Sequence, residues 1–280
     1  MTVTQDPATY LQAATAELRD LVGGAGASDE ALLQSWLEQH PAFVPGAHGQ
    51  DGSSGMTPWP GALITQPPLP GIVGHVPDFL WLAADSRGVT AVLVEIERPN
   101  KRWFTVDGDP YQGHIGQARS QITNWRAWFS NPTNQLKFLD DYLVPDELRR
   151  LEFRQHYVLV LGRRAEFDNQ PEWARRRAVA GAGDNEMTWD RLIEGPNVKA
   201  VTLGCVRVSA TGGGYDAVSV PPLWDPSRID ERALSRTGGL REAVAVAPMA
   251  DERKQACVDY LDTISPPPPP GPRFRPPQRR

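Results

Sequence analysis

Cysteine is scarce in this sequence of 280 residues. Cys205 and Cys257 lie far apart and have no histidine at a metal-ligand spacing, so the sequence contains neither a CxxC motif nor a zinc-finger pattern. Two isolated cysteines also cannot form the disulfide framework of a small secreted domain. These absences exclude both classes of protein and are compatible with a reducing cytosol.

Long apolar runs and an excess of positive charge are also missing. No segment approaches the ~20 apolar residues of a membrane-spanning helix, and the first residues show no basic stretch followed by an apolar run. We therefore expect a cytoplasmic protein without membrane contact. The net charge is −5 and the pI about 5.6, which excludes the global basic field of a non-specific DNA coat. Any contact with nucleic acid has to be local.

Signals of nucleotide binding and of histidine ligation are absent as well. The glycines at 181, 183 and 212–214 lack the Lys-Ser/Thr pair and the strand-to-helix setting of a phosphate loop. The five histidines have no metal-ligand spacing among themselves. Nothing in the sequence supports a serine or cysteine nucleophile paired with histidine.

The remaining composition is that of a globular protein, with 40% hydrophobic and 22% charged residues. Apolar periodicity predicts helices over residues 7–22, 28–40, 111–131, 171–180 and 251–261. Apolar and β-branched runs predict strands over residues 76–82, 89–96, 157–161 and 198–208. Residues 46–74 are rich in Gly, Ser, Pro and Thr, which predicts an irregular loop, although Trp59, Leu63 and Ile64 could form a short strand in it.

The first two predicted strands are expected to pair. Asp85 to Gly88 form a turn signal between them, which predicts a β-hairpin. Seven of the eight residues from Val89 to Ile96 are apolar or β-branched, the pattern of a strand that is buried on both faces.

Three carboxylates in this hairpin carry the main chemical signal. Glu95 and Glu97 are two positions apart on one strand, so their side chains point to the same face, opposite to Ile96. If the two strands pair, Asp78 can approach Glu95. Neighbouring carboxylates repel one another, and a hard cation such as Mg²⁺ or Mn²⁺ stabilises them. Such a metal can activate water and polarise a phosphate, as phosphodiester hydrolysis requires.

An alternative without chemistry is that these are solvent-facing strand carboxylates, paired in ion pairs with Arg98, Lys101 or Arg102. The apolar surroundings favour the site, because a strand buried on both faces does not carry two same-face glutamates without a partner. The same three basic residues are candidates for local contact with nucleic acid, as are the arginine runs at 149–150, 163–164 and 175–177.

Six segments in order also resemble a known family. They read LLQSWLEQHPAFVPG (32–46), VPDFLWL (76–82), VEIERP (94–99), GQARSQITNWRAWF (116–129), YVLVLGRR (157–164) and MTWDRLI (187–193). Together they resemble the PD-(D/E)xK nuclease superfamily and, more narrowly, the nuclease domain of Shedu-type anti-phage defence proteins. The resemblance implies an α/β fold, with a restriction-endonuclease-like mixed sheet core flanked by helices and a helical or irregular C-terminal extension.

The resemblance also implies roles for individual residues. Asp78 and Glu95 would be ligands of Mg²⁺ or Mn²⁺, and Glu30, or else Glu38, would be the acidic residue of the preceding helix. Gln121 would be a helix glutamine that faces the site, although a buried amide that satisfies backbone groups explains it equally well. Trp125, four residues later, is expected in the core.

One position departs from the family pattern. The last residue of the motif is usually lysine, whose positive charge orients water and stabilises developing negative charge, and here it is Glu97. Glutamate can bind metal or accept a proton, but it supplies no cation. Lys101 or Arg98 could reach back, although Arg98 points to the opposite face of the strand.

The sequence divides into an N-terminal helix (1–25), a PD-(D/E)xK-like nuclease domain (26–210), a C-terminal extension (211–264) and a disordered proline-rich tail (265–280). The expected function is that of a metal-dependent DNA endonuclease, which acts as a defence effector on phage DNA and forms a homo-oligomer. One alternative is a nucleic-acid-binding module of the same fold with weakened catalysis. Another is a regulatory protein that binds partners through its proline-rich tail.

Overall fold

The computed structural model describes residues 6–48, 56–71, 76–103, 114–168 and 185–264. The strands are β1 (Thr57–Thr65), β2 (Phe79–Ala84), β3 (Gly88–Ile96), β4 (Glu152–Val160), β5 (Asn185–Met187), β6 (Gly204–Val208), β7 (Tyr215–Ser219) and β8 (Thr237–Gly238). The helices are α1 (Pro7–Gly23), α2 (Glu30–Gln39), α3 (His114–Phe129), α4 (Pro132–Asp141), α5 (Asp146–Arg149), α6 (Ala165–Asp168), α7 (Trp189–Glu194), α8 (Glu231–Leu234), α9 (Leu240–Val246) and α10 (Asp251–Thr263). In this part of the chain no helix is long and apolar enough to cross a membrane.

All of these strands form one mixed sheet in the order β5-β4-β3-β2-β1-β6-β7-β8. The strands β1, β2 and β3 pair antiparallel, whereas β4 runs parallel to β3, and β6 runs parallel to β1. Helices cover both faces of the sheet. The predicted α/β fold with a mixed sheet core flanked by helices is therefore confirmed.

Two hydrophobic layers hold the helices on the sheet. On one side, which we call the α1/α2 face, α1 and α2 pack against Trp81, Val92 and Val94. On the other side, the α3 face, α3 and α4 pack against Leu93 and Leu159. Alternate residues of β3 thus enter opposite layers. The prediction of a strand buried on both faces is confirmed.

The predicted hairpin of β2 and β3 is also confirmed. Its register runs from Phe79 opposite Val94 to Ala84 opposite Val89. In the turn, Oδ1 of Asp85 accepts hydrogen bonds from the backbone N–H groups of Arg87 at 2.8 Å and Gly88 at 3.0 Å. A Cβ atom at Gly88 would clash with the carbonyl oxygen of Glu152, so the close approach of β4 requires glycine there.

Two sequence predictions about strands were wrong in extent. Residues 57–65, predicted as part of an irregular loop, form the nine-residue strand β1 in the interior of the sheet. Pro58 and Pro60 obscured it, because proline is rare in central strands. Of the strand predicted over 198–208, only β6 is observed, because Val198–Ala200 form a 3-10 helix. Strand β7 comes after β6 in the sequence.

The segment predicted as a C-terminal extension contains β7, β8 and the helices α8 to α10. The helix predicted over 251–261 is confirmed as α10. The helix predicted over 171–180, the arginines at 175–177 and the proline-rich tail lie outside the described residues.

Candidate active site

The pairing of β2 with β3 brings Asp78 to the carboxyl end of β3. Phe79 lies opposite Val94, so the next position in the register sets Asp78 opposite Glu95. The backbone N–H of Ile96 donates a hydrogen bond of 2.7 Å to Oδ2 of Asp78. This bond fixes the Asp78 carboxylate beside the Glu95 position.

Glu95 and Glu97 are buried on the α3 face. Each is only 6% exposed, whereas Val94 and Ile96 pack into the α1/α2 layer. The Oε2 atom of Glu95 is buried and has no hydrogen-bond partner. An unpartnered buried carboxylate oxygen is costly, so the free energy of the site favours a proton or a cation at this atom.

Burial and mutual repulsion raise the pKa of the two central carboxyl groups. For Glu95, burial is the main cause of the raised pKa, and the negative charge of Asp78 adds to it. Burial also raises the pKa of Asp78, although the Ile96 hydrogen bond opposes this shift. Glu30 and Glu97 raise both values further. Without a cation, the Asp78–Glu95 pair therefore retains a proton near neutral pH.

Lys101 supplies positive charge to this cluster. Its Nζ atom donates a short hydrogen bond to Oε2 of Glu97, and the two side chains are 13% and 8% exposed. Lys101 also counteracts the raised pKa of Glu95. Lys101 and Arg98 were the two basic residues predicted to reach the carboxylates, and Lys101 does so. Arg98 instead donates a 3.4 Å hydrogen bond to the carbonyl oxygen of Ser28.

The acidic residue of α2 that affects the cluster is Glu30. It is the first residue of α2, after the N-cap Asp29, and its charge raises the pKa of both central carboxyl groups. The alternative, Glu38, accepts a 2.6 Å hydrogen bond from the hydroxyl of Thr65. The carboxylate of Glu38 is therefore engaged by β1.

Gln121 lies on α3, the helix that covers the face bearing Glu95. Its Oε1 atom is buried and has no hydrogen-bond partner. This oxygen therefore does not accept a hydrogen bond from a backbone N–H group. Trp125, one turn later, is fully buried in the core of the α3 face.

The sequence did not predict an ion pair that lies beside the cluster. Arg119 on α3 forms a bidentate pair with Glu186 on β5, with N–O distances of 2.6 and 2.8 Å. Glu186 pairs with Leu159 in the sheet, and Leu159 pairs with Glu95, so all three lie in one row. The only signal in the sequence was an acidic residue just before the segment MTWDRLI, which periodicity cannot interpret.

The residues fit a cation that keeps much of its water. Within the described ranges, no group of three or more His, Cys, Asp or Glu side chains is arranged to hold a metal ion. Mg²⁺, however, typically takes one or two carboxylates and completes its octahedron with water and substrate phosphate. Asp78 and Glu95 would provide the two carboxylates, and Oε2 of Glu95 is a buried oxygen without a hydrogen-bond partner. The donor set suits Mg²⁺ or Mn²⁺ and not a closed zinc site.

The backbone of Glu97 is held by Trp189, which is fully buried. Nε1 of Trp189 donates a 2.7 Å hydrogen bond to the carbonyl oxygen of Glu97. Replacing Trp189 with phenylalanine leaves this carbonyl without its donor, and we expect the free energy of unfolding to fall by about 1–3 kcal/mol. Urea denaturation followed by circular dichroism measures the change. An unaltered stability would contradict this anchoring role.

The comparison with known proteins gives one positive result. No curated protein and no solved structure matched the chain significantly. Residues 27–193, more than half of the chain, match the family model described as Shedu protein SduA, C-terminal. This range contains α2, the hairpin with its three carboxylates, α3 and all but the last residue of α7. The chain therefore belongs to the Shedu SduA C-terminal family.

Proposed function

We propose that this protein is a Mg²⁺- or Mn²⁺-dependent DNA endonuclease of the PD-(D/E)xK type that serves anti-phage defence. The observation that supports it best is the buried Glu95, with an unpartnered oxygen, beside Asp78 at the end of β3. The defence role follows from membership of the Shedu family. The proposed substrate is phage DNA, and the proposed working form is a cytoplasmic homo-oligomer.

Each residue of the proposed site has its own role in phosphodiester hydrolysis. When bound, the cation polarises the phosphate and activates water. Asp78 and Glu95 would hold it, and the Ile96 amide keeps the Asp78 carboxylate in place. Glu30 adds negative charge at the rim of the site. Gln121 offers a carbonyl oxygen from α3 that can accept a hydrogen bond from water.

Basic side chains near the cluster provide local attraction for the DNA backbone. Arg98 follows the acidic motif directly, and Arg102 is exposed, with its Nε atom 3.6 Å from Oε1 of Glu166. Because the salt dependence of DNA binding scales with the number of phosphate contacts, binding through a few such residues should weaken only moderately as the salt concentration rises.

A cleavage assay tests the proposal. Purified protein is incubated with supercoiled plasmid DNA in the presence of Mg²⁺, Mn²⁺ or EDTA. We expect nicked and linear DNA with either cation and intact plasmid with EDTA. DNA binding without cleavage under all metal conditions would instead favour the alternative of a binding module with lost catalysis. Cleavage that persists in EDTA would contradict the proposal.

A further inference from the structure

We propose that Lys101 is the cationic group that contacts the scissile phosphate, and that Glu97 is a positioning residue for Lys101. This inference rests on the proposed nuclease function. It assigns Glu97 a role different from metal binding or proton transfer. The argument starts from the segment between Glu97 and Trp103, which we call the Lys101 turn.

The Lys101 turn is fixed at its first residue. The backbone N–H of Glu97 donates a 2.8 Å hydrogen bond to the carbonyl oxygen of Val160 on β4. Its own carbonyl oxygen accepts the hydrogen bond of Trp189. Both backbone groups of Glu97 are therefore engaged, and its side chain leaves the backbone in a defined direction.

The turn is fixed at its last residue as well. Trp103 is 1% exposed, and its indole N–H donates a 2.8 Å hydrogen bond to the carbonyl oxygen of Leu161. Its backbone N–H donates to Oε2 of Glu166 at 2.9 Å. Between the two anchors, the N–H of Lys101 donates to the carbonyl oxygen of Arg98 at 3.0 Å, which closes the turn.

A glycine beneath the turn permits this close packing. Gly162 has a φ of +61°, and a Cβ atom there would lie 2.8 Å from the carbonyl oxygen of Lys101. Such an approach is possible only without a side chain. The position of Lys101 is therefore built into the contact between the turn and the end of β4.

The charge environment distinguishes Lys101 from the neighbouring cations. Arg98 is bound to Ser28, Arg102 lies near Glu166, and Arg119 is paired with Glu186. Lys101, by contrast, contacts Glu97 and acts electrostatically on Glu95. A largely buried ammonium group beside a carboxylate cluster is strongly attracted, because the local dielectric constant is low. The ion pair holds the ammonium beside Glu97, and we place the scissile phosphate within its reach, next to the carboxylate pair.

The chemistry needs such a group. Water attacks phosphorus, its oxygen forms a new P–O bond, and the P–O bond to the leaving sugar oxygen breaks. The attacking water releases its proton to solvent, and the leaving oxygen takes up a proton from solvent. Negative charge on the phosphate oxygens rises during this exchange, and preorganised N–H donors stabilise it. Lys101 donates hydrogen bonds to these oxygens and transfers no proton.

Chemical rescue of a cysteine variant tests this role. Cys205 and Cys257 are buried, so a cysteine introduced by Lys101→Cys is the preferred target of an alkylating reagent. Reaction with 2-bromoethylamine restores an ammonium group on a side chain of nearly the length of lysine. Reaction with iodoacetamide adds a neutral group and serves as the matched control. Mass spectrometry verifies a single adduct in each case.

We expect Lys101→Cys to lower the cleavage rate by about 100-fold or more. Aminoethylation should recover at least about a tenth of the wild-type rate, whereas the iodoacetamide adduct should stay inactive. Mn²⁺ binding, measured by calorimetry, should persist in all forms. Cleavage by Lys101→Cys at the wild-type rate, or equal rescue by both reagents, would overturn the inference while leaving the nuclease proposal intact. If the wild-type protein itself fails to cleave DNA, the nuclease proposal and this inference fall together.

A second readout does not depend on activity. Glu97→Gln and Lys101→Met are compared with the double variant in the metal-free protein by thermal unfolding. Because the two side chains interact directly, the loss of melting temperature in the double variant should be smaller than the sum of the single losses. Additive losses would show that Glu97 does not position Lys101.

Discussion

We expect Asp78→Asn and Glu95→Gln each to lower the rate of metal-dependent DNA cleavage by about 10³-fold or more. Each change removes a negative charge from the carboxylate pair while it preserves the shape of the side chain. Asparagine at 78 can still accept the hydrogen bond of the Ile96 amide, so the backbone should remain in place. Calorimetry with Mn²⁺ should show weakened binding in both variants, and single-turnover assays measure the loss of rate.

The matched control is Glu38→Gln. Glu38 is on the neighbouring helix α2, but its carboxylate bonds Thr65 instead of joining the pair. The cleavage rate of the Glu38→Gln variant should stay within a few-fold of the wild-type rate. The Glu30→Gln variant should lose an intermediate part of the rate, because the charge of Glu30 acts on the carboxylate pair. Cleavage that survives unchanged in Asp78→Asn or Glu95→Gln would mean that the catalytic centre lies elsewhere.

The second large effect concerns stability and pH in the metal-free protein. In the unfolded chain, carboxyl groups titrate near ~4. In the folded protein, burial raises the pKa of Glu95 and of Asp78. Above pH ~4 the folded state therefore binds more protons than the unfolded state, and stability should fall as pH rises through the raised folded values. Each group contributes at most about 1.4 kcal/mol per pH unit.

Glu95→Gln removes part of this penalty. Its melting temperature at pH 8 should exceed that of the wild type by several degrees, and the difference should shrink towards pH 5. Addition of Mn²⁺ at pH 8 should raise the melting temperature of the wild type but not that of the variant, because the cation binds only the folded site. Scanning calorimetry at pH 5, 6.5 and 8 measures both effects, and parallel pH curves for the two proteins would refute them.

His40 is another largely buried titratable group, and its effect on the pH dependence of stability has the opposite sign. Burial lowers the pKa of His40 to about 4, and the ring is hydrogen-bonded to Tyr10 at 2.9 Å. A neutral buried histidine costs stability as pH falls below ~6.5, the ordinary value. Because this contribution is the same in both proteins, the difference between wild type and Glu95→Gln isolates the carboxylate pair.

Local sequence patterns predicted the central hairpin of β2 and β3. The alternation in β3 and the turn at Asp85 were enough to predict the hairpin, and hairpin pairing was enough to bring Asp78 towards Glu95. These inferences succeed because they depend on residues close in the sequence. The placement of Glu97 on the same face as Glu95 also follows from the period of two along a strand.

Features that depend on distant residues were not accessible in this way. Strand β1 was missed because its prolines argue against an interior strand, and because one of its two partner strands, β6, is far away in the sequence. The Arg119–Glu186 pair likewise joins a helix and a strand that no local pattern connects. Lys101 was one of two candidates, and the packing of Trp103 against Leu161 is what directs its turn.

The register of the sheet also has a consequence for the order of folding. The β2–β3 hairpin closes a short loop, whereas the pairing of Ala62 with Gly204 closes a loop that contains most of the family domain. Short loops close at lower entropic cost and faster than long ones. The carboxylate pair can therefore assemble early, while the three strands beyond β1 have to wait until β6 has been synthesised.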